Sequence, residues 1–232
     1  MSNSTIQTRL LIKLFKENSN PDNAAHMARY MKNQFSFFGI KSPERRTITQ
    51  EWLKTITVKS LSDIRNIMNA LWKLNKREFQ YVACDLGKQY KKYWTPNSLE
   101  FIKGLICTKS WWDTVDVIVS HMAGTVVYNH TATANIMDDW IDHPNMWIRR
   151  RTAILHQLNF KEKTDARRLF SYCKKRMQEN EFFLRKAIGW ALMQYSYLDP
   201  KGVIQFVNEY DDNLSPLSKM EALKARKREG KI

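Results

Sequence analysis

Residues Thr108–Asp116 read TKSWWDTVD, which sets two indoles beside two carboxylates. Neighbours on a helix point about 100° apart, so Trp111 and Trp112 cannot share a face. Trp112 and Asp116, four residues apart, do share one. Asp113 completes an S-x-x-D capping box with Ser110 and lies where a helix dipole favours an anion, so a structural role accounts for it. Asp116 lies about one turn further in, beside Val115, Val117, Ile118 and Val119, where the dipole benefit has faded. Two readings of Asp116 stand. One is a half-buried ion pair with an arginine. The other is a carboxylate held ionised in a cleft walled by indoles. The arginines are at hand in Arg149, Arg150 and Arg151. Trp147 reads as packing, whereas Trp112 and Trp190 are the better surface indoles. Trp111 is expected to pack inward.

Helices must position these groups. Glycine and proline are scarce, at seven and six, and the punctuation marks helix starts. Ser42-Pro43-Glu44 reads as an N-cap, a first-turn proline and an early acid. Ser60 precedes a stripe of Leu61, Ile64, Ile67, Met68 and Leu71. Asn75-x-x-Glu78 resembles a capping box before the next helix. The helices also repeat. A first-turn aromatic is followed four residues on by a position on the same face: Phe79 by Ala83, Trp112 by Asp116, Trp147 by Arg151, Phe183 by Ala187. These aromatics lie 33, 35 and 36 residues apart, which fits two-helix repeats stacked as a solenoid. Stacking sets equivalent positions side by side, so this register puts Asp116 opposite Arg151. Trp190 lies seven residues beyond Phe183 on the same stripe. The expected fold is all-α, a single domain over residues 1–232.

Of the 232 residues, 38 are Lys or Arg and 23 Asp or Glu, a net charge of +15 that points first to nucleic acid. Basic clusters recur near helix starts in SPERR, NKREF, WIRRR, KEKTDARR, CKKRM and FLRKA. Any one run is usually a solvated face, but repetition along one edge would make a phosphate track. Lys41, Ser42, Arg46, Arg149 and Arg150 are its candidate DNA-binding members, with helix N-termini adding N–H donors. No metal, dinucleotide or P-loop motif occurs, so neither a cofactor nor a metal is expected. Cys84, Cys107 and Cys173 read as reduced, mostly buried thiols. With no apolar run of spanning length and no signal-peptide layout, the chain reads as a cytoplasmic monomer, nucleoid-associated when bound to DNA.

The motifs MARYMKN, GIKSPERR, REFQ, TKSWWDTVD, RTAILHQL, KAIGW and PLSKMEALK together resemble bacterial DNA alkylation repair glycosylases of the AlkD type. SWWD-x-VD and KAIGW carry most of that likeness, which covers nearly the whole chain. The resemblance implies a right-handed α-solenoid of HEAT-like repeats with a concave basic groove. It implies excision of cationic N3- and N7-alkylated purines, such as 3-methyladenine and 7-methylguanine, from double-stranded DNA. By resemblance the essential aspartate falls on Asp116 and its active-site arginine on Arg151, although WIRRR leaves Arg150 open as the partner. The tryptophans flanking the lesion fall on Trp112 and Trp190, and an aromatic near the duplex on Tyr30. With no lysine beside Asp116 for Schiff-base chemistry, a monofunctional enzyme is expected. The alternative is a non-catalytic HEAT-repeat protein that binds damaged or branched DNA.

Overall fold

A computed structural model describes residues 3–149, 154–228 and 230 of the chain. Arg150 and Arg151 lie outside the described residues. Among those described, the secondary structure is helical, apart from one isolated bridge between Ser36 and Lys76. The chain is all-α and packs as two compact units, residues 1–93 and 94–232. No helix among the described residues is long and apolar enough to cross a membrane.

The first unit holds α1 (Asn3–Glu17), α2 (Pro21–Tyr30), α3 (Ser42–Thr55), α4 (Leu61–Lys73) and α5 (Arg77–Gln89). The start of α4 is set locally. Ser60 Oγ accepts from Asp63 N–H at 3.1 Å, and Asp63 Oδ2 accepts from Ser60 N–H at 2.9 Å, a reciprocal box. Of the stripe that follows, Ile64, Ile67, Met68 and Leu71 are buried and Leu61 is half-buried. They share the core with Leu11, Phe15, Trp52, Val82 and Leu86. Two other expected caps do not form. Ser42 is the first residue of α3, and Lys41 before it is the cap residue, without a side-chain bond. Asn75 likewise does not cap α5, which starts after Lys76. Glu78 turns instead to the backbone of a segment about 40 residues earlier.

The second unit holds α6 (Leu99–Cys107), α7 (Trp112–Ile118), α8 (Gly124–Asn129), α9 (Ala134–Trp140), α10 (Ala166–Arg176), α11 (Phe182–Tyr195), α12 (Pro200–Glu209) and α13 (Pro216–Arg228). Residues 146–149 and 154–155 are also helical. A π-helical turn, Val119–Ala123, joins α7 to α8. There Gly124 N–H donates to Val119 O, so Ser120 O is released from the helical ladder and accepts from Asn159 Nδ2 at 3.0 Å. Gly124 permits this approach, since a Cβ on it would stand 2.3 Å from His156 O. Further along, α11 presses on α13 at Gly189, where a Cβ would stand 2.6 Å from the Glu221 Cβ. Cys84 and Cys173 are buried, and burial pushes the Cys173 thiol up to about 12. Cys107 departs from expectation in being exposed, because it ends α6 on the solvent side.

Candidate functional site

The chain turns from α6 into α7 through Lys109, whose φ of 51° lies in the left-handed region. Ser110 Oγ donates to Ile106 O at 2.5 Å, so it seals the end of α6 rather than capping α7. The expected Ser110–Asp113 box is therefore absent. Trp111, in extended conformation, is the cap residue of α7. Asp113 does sit in the first turn, where its Oδ1 accepts from Thr114 N–H at 3.0 Å.

Trp111 stands 5.9 Å from the Trp147 ring and 5.3 Å from Phe183. Trp147 and Phe183 are themselves 5.3 Å apart. Trp111 and Trp147 thus share one aromatic cluster, in which both are half-buried. Trp111, Trp147 and Phe183 recur at intervals of 36.

Trp112 opens α7 and is half-buried, as is Asp116 four residues on. Around Asp116, Val115, Ile118 and Val119 are fully buried, and its Oδ1 is closed to solvent. Its backbone carbonyl accepts from Ser120 Oγ at 2.6 Å. Trp190, half-buried, lies two turns along α11 from Phe183, the ring that meets α7 through Trp111. The Trp111–Phe183 contact brings the starts of α7 and α11 together. The better-formed clefts of the second unit, about 300 and 340 Å³, are lined by other residues, chiefly of α10 to α12.

The basic residues divide into two groups. Lys41, Ser42 and Arg46 are exposed at the start of α3, and Tyr30, at the end of α2, is 71% exposed. On α10, Arg168, Lys175 and Arg176 are paired within the protein. Arg168 pairs with Asp138 at 3.1 Å and Asp165 at 2.8 Å, while Lys175 and Arg176 pair with Asp142. Arg149 bonds Glu179, His143 O and Pro144 O, each at 3.0 Å. These bonds use Arg149 to hold the turn into the helix at 146. Asp138, on α9, and Asp142, just after it, lie 30 to 34 residues before the Arg168, Lys175 and Arg176 that they pair with.

The α9–α10 pairing has a pH signature. The hydrogen bond from Arg168, then that from Tyr172, hold the Asp138 carboxyl below the usual carboxylate range. A depressed folded-state pKa stabilises the fold above the unfolded value, and the gain is lost as pH falls through the folded one. Asp138→Asn is expected to lower the melting temperature at neutral pH. That deficit should shrink as pH falls below the usual carboxylate range and the wild-type carboxyl takes its proton. A deficit constant with pH would mean that the charge is not what matters.

Comparison with known proteins fits this frame. The family model for the DNA alkylation repair enzymes matches residues 11–225. No curated protein matches the chain. Among solved structures, one from Enterococcus faecalis, described as a predicted DNA alkylation repair enzyme, is 35% identical. It covers 89% of this chain and 95% of its own, with a TM-score of 0.81. AlkD2 from Streptococcus mutans shares the fold at 15% identity, over 96% of this chain and 98% of its own, TM-score 0.63. So does smu.31 from Streptococcus mutans UA159, at 16% identity over 86% and 97%, TM-score 0.59. With the family matched along most of its length on an all-α, helical-repeat frame, this chain belongs to the AlkD-type DNA alkylation repair enzyme family.

Proposed function

We propose that the protein is a monofunctional DNA glycosylase that hydrolyses the N-glycosidic bond of cationic N3- or N7-alkylated purines in double-stranded DNA. The observation that carries this reading is Asp116, a half-buried carboxylate one turn beyond Trp112 amid buried aliphatic side chains. A purine alkylated at N3 or N7 already bears a positive charge and leaves without much help from a general acid. What remains is to stabilise an oxocarbenium-like sugar and guide a water, and one ionised carboxylate can do both. Arg151, or Arg150 beside it, is the proposed partner that keeps Asp116 ionised. The indole faces of Trp112 and Trp190 attract a cationic base or sugar, by about 0.5–2 kcal/mol each. Lys41, Ser42 and Arg46, with the open N-terminus of α3, bind phosphate, and Tyr30 lies against the duplex. A site that engages the sugar and the lesion's charge tolerates bulky cationic bases and spares neutral ones.

The direct test is release of free 3-methyladenine or 7-methylguanine from methylated duplex, with uracil and 1,N6-ethenoadenine duplexes as neutral controls. Excision of the neutral bases at comparable rates would overturn charge-based selection. Tight duplex binding without release of either purine would make the protein a damage-binding HEAT-repeat protein. The division of the basic residues gives a second expectation. Arg46→Ala should lower the slope of log affinity against log salt by about 1, whereas Arg168→Ala leaves it unchanged. Equal slopes for the two variants would place the track elsewhere.

A further inference from the structure

The segment between α2 and α3 has no regular structure, yet it is held from several sides. Asn20 N–H donates to Phe38 O at 2.8 Å, and Arg77 N–H to Ser36 O at 2.9 Å. Lys76 Nζ donates to Phe37 O at 3.0 Å, and the Arg77 guanidinium lies 3.7 Å from the centre of the Phe35 ring. Gly39 takes a φ of +90°, and a Cβ on it would stand 2.0 Å from Asn20 O. At the centre is Glu78, fully buried. Its Oε1 accepts from three consecutive amides: Phe38 and Gly39 at 2.9 Å and Ile40 at 3.4 Å. Its Oε2 is buried without a hydrogen-bond partner among the described residues.

A carboxylate so placed is a poor way to stabilise a core, since burying a charge with one oxygen unbonded is costly. Burial accordingly pushes the Glu78 carboxyl up. What it supplies is geometric. Three amides in series can converge on one oxygen only when the turn is folded around it. Lys41 and Ser42 follow Ile40 directly, so the same turn sets where α3 begins.

We propose that Glu78 is a positioning residue for DNA binding, presetting the Phe38–Ile40 turn so that Lys41, Ser42 and Arg46 meet the phosphate backbone without an ordering cost. The proposal rests on the phosphate-binding part of the function above and not on catalysis.

The experiment compares Glu78→Ala, which removes the acceptor, with Glu78→Gln, which keeps an oxygen in its place. Affinity for undamaged duplex is expected to fall about tenfold in the Ala variant and to stay within about twofold of wild type in the Gln variant. The single-turnover release rate at saturating enzyme should not change in either. Adding Lys41→Ala to Glu78→Ala should weaken binding by less than Lys41→Ala does alone, because the two act through one turn. Strictly additive effects, or wild-type affinity in Glu78→Ala, would overturn the proposal. Should Glu78→Ala not fold, hydrogen exchange in the wild-type protein decides. Slow exchange of the Phe38, Gly39 and Ile40 amides without DNA supports a preset turn, and protection that arises only with duplex overturns it. A protein that binds duplex and releases no base would fail the glycosylase reading and leave this test intact.

Discussion

Asp116→Asn is expected to lower single-turnover release of 7-methylguanine by about 10²- to 10⁴-fold, the range for a group that stabilises charge and directs a nucleophile. Asparagine has the same shape, so the packing around Val115, Ile118 and Val119 survives and the loss falls on charge. The oxocarbenium-like sugar then develops beside a neutral amide, and the attacking water meets a weaker acceptor. Duplex affinity should stay within about threefold of wild type, because phosphate contacts supply most of the binding. The measurement is therefore a rate at saturating enzyme paired with a dissociation constant. A variant that binds normally and cleaves within tenfold of wild type would exclude Asp116 as the catalytic carboxylate. One that loses binding and rate together would make it a structural residue. Arg151→Ala should move the rate the same way by a smaller factor, as its proposed role is to keep Asp116 ionised.

Gly124→Val is expected to be the most damaging single substitution for stability in the second unit. The new Cβ would meet His156 O at 2.3 Å and Val119 O at 3.2 Å, and both are backbone atoms that cannot rotate aside. Either α8 or the segment beginning at 154 must move, at a cost of about 1–3 kcal/mol or more. In a chain of this size that lowers the melting temperature by roughly 2–4 °C per kcal/mol. The displacement also strains the bond from Asn159 to Ser120 O and with it the π-helical turn that follows Asp116. Release of alkylated purine should drop with stability, although Gly124 touches no substrate. Gly104→Ala is the matched control. That glycine lies within α6, and a Cβ on it would meet nothing within 4 Å. Replacing it should stabilise the protein by about 0.4–1 kcal/mol. Equal effects at the two positions would show that helix propensity, not close approach, governs both.

What could be read from the chain alone is what local chemistry decides. The Ser60–Asp63 box and the stripe from Ile64 to Leu71 depend on residues within a turn or two, so their pattern and their structure coincide. The aromatic period near 36 residues and the motifs SWWD-x-VD and KAIGW carried the helical-repeat frame and the family. The start of a helix at the Trp doublet was also legible, and Trp112 opens α7. Tertiary structure decided whatever depended on a distant partner. Ser42, Asn75 and Ser110 each match a capping pattern, yet none caps the helix that follows, and Ser110 instead bonds Ile106 O. Arg168, Lys175 and Arg176 of α10 belong to basic runs in the sequence, yet Asp138 on α9 and Asp142 just after it stand against them. Glu78 matched a cap for its own helix and instead holds a turn about 40 residues earlier. A sequence pattern constrains neighbours along a helix. Which side chains meet across helices is set by packing, and packing chose the paired charges, the ring contacts and the amides that Glu78 bonds.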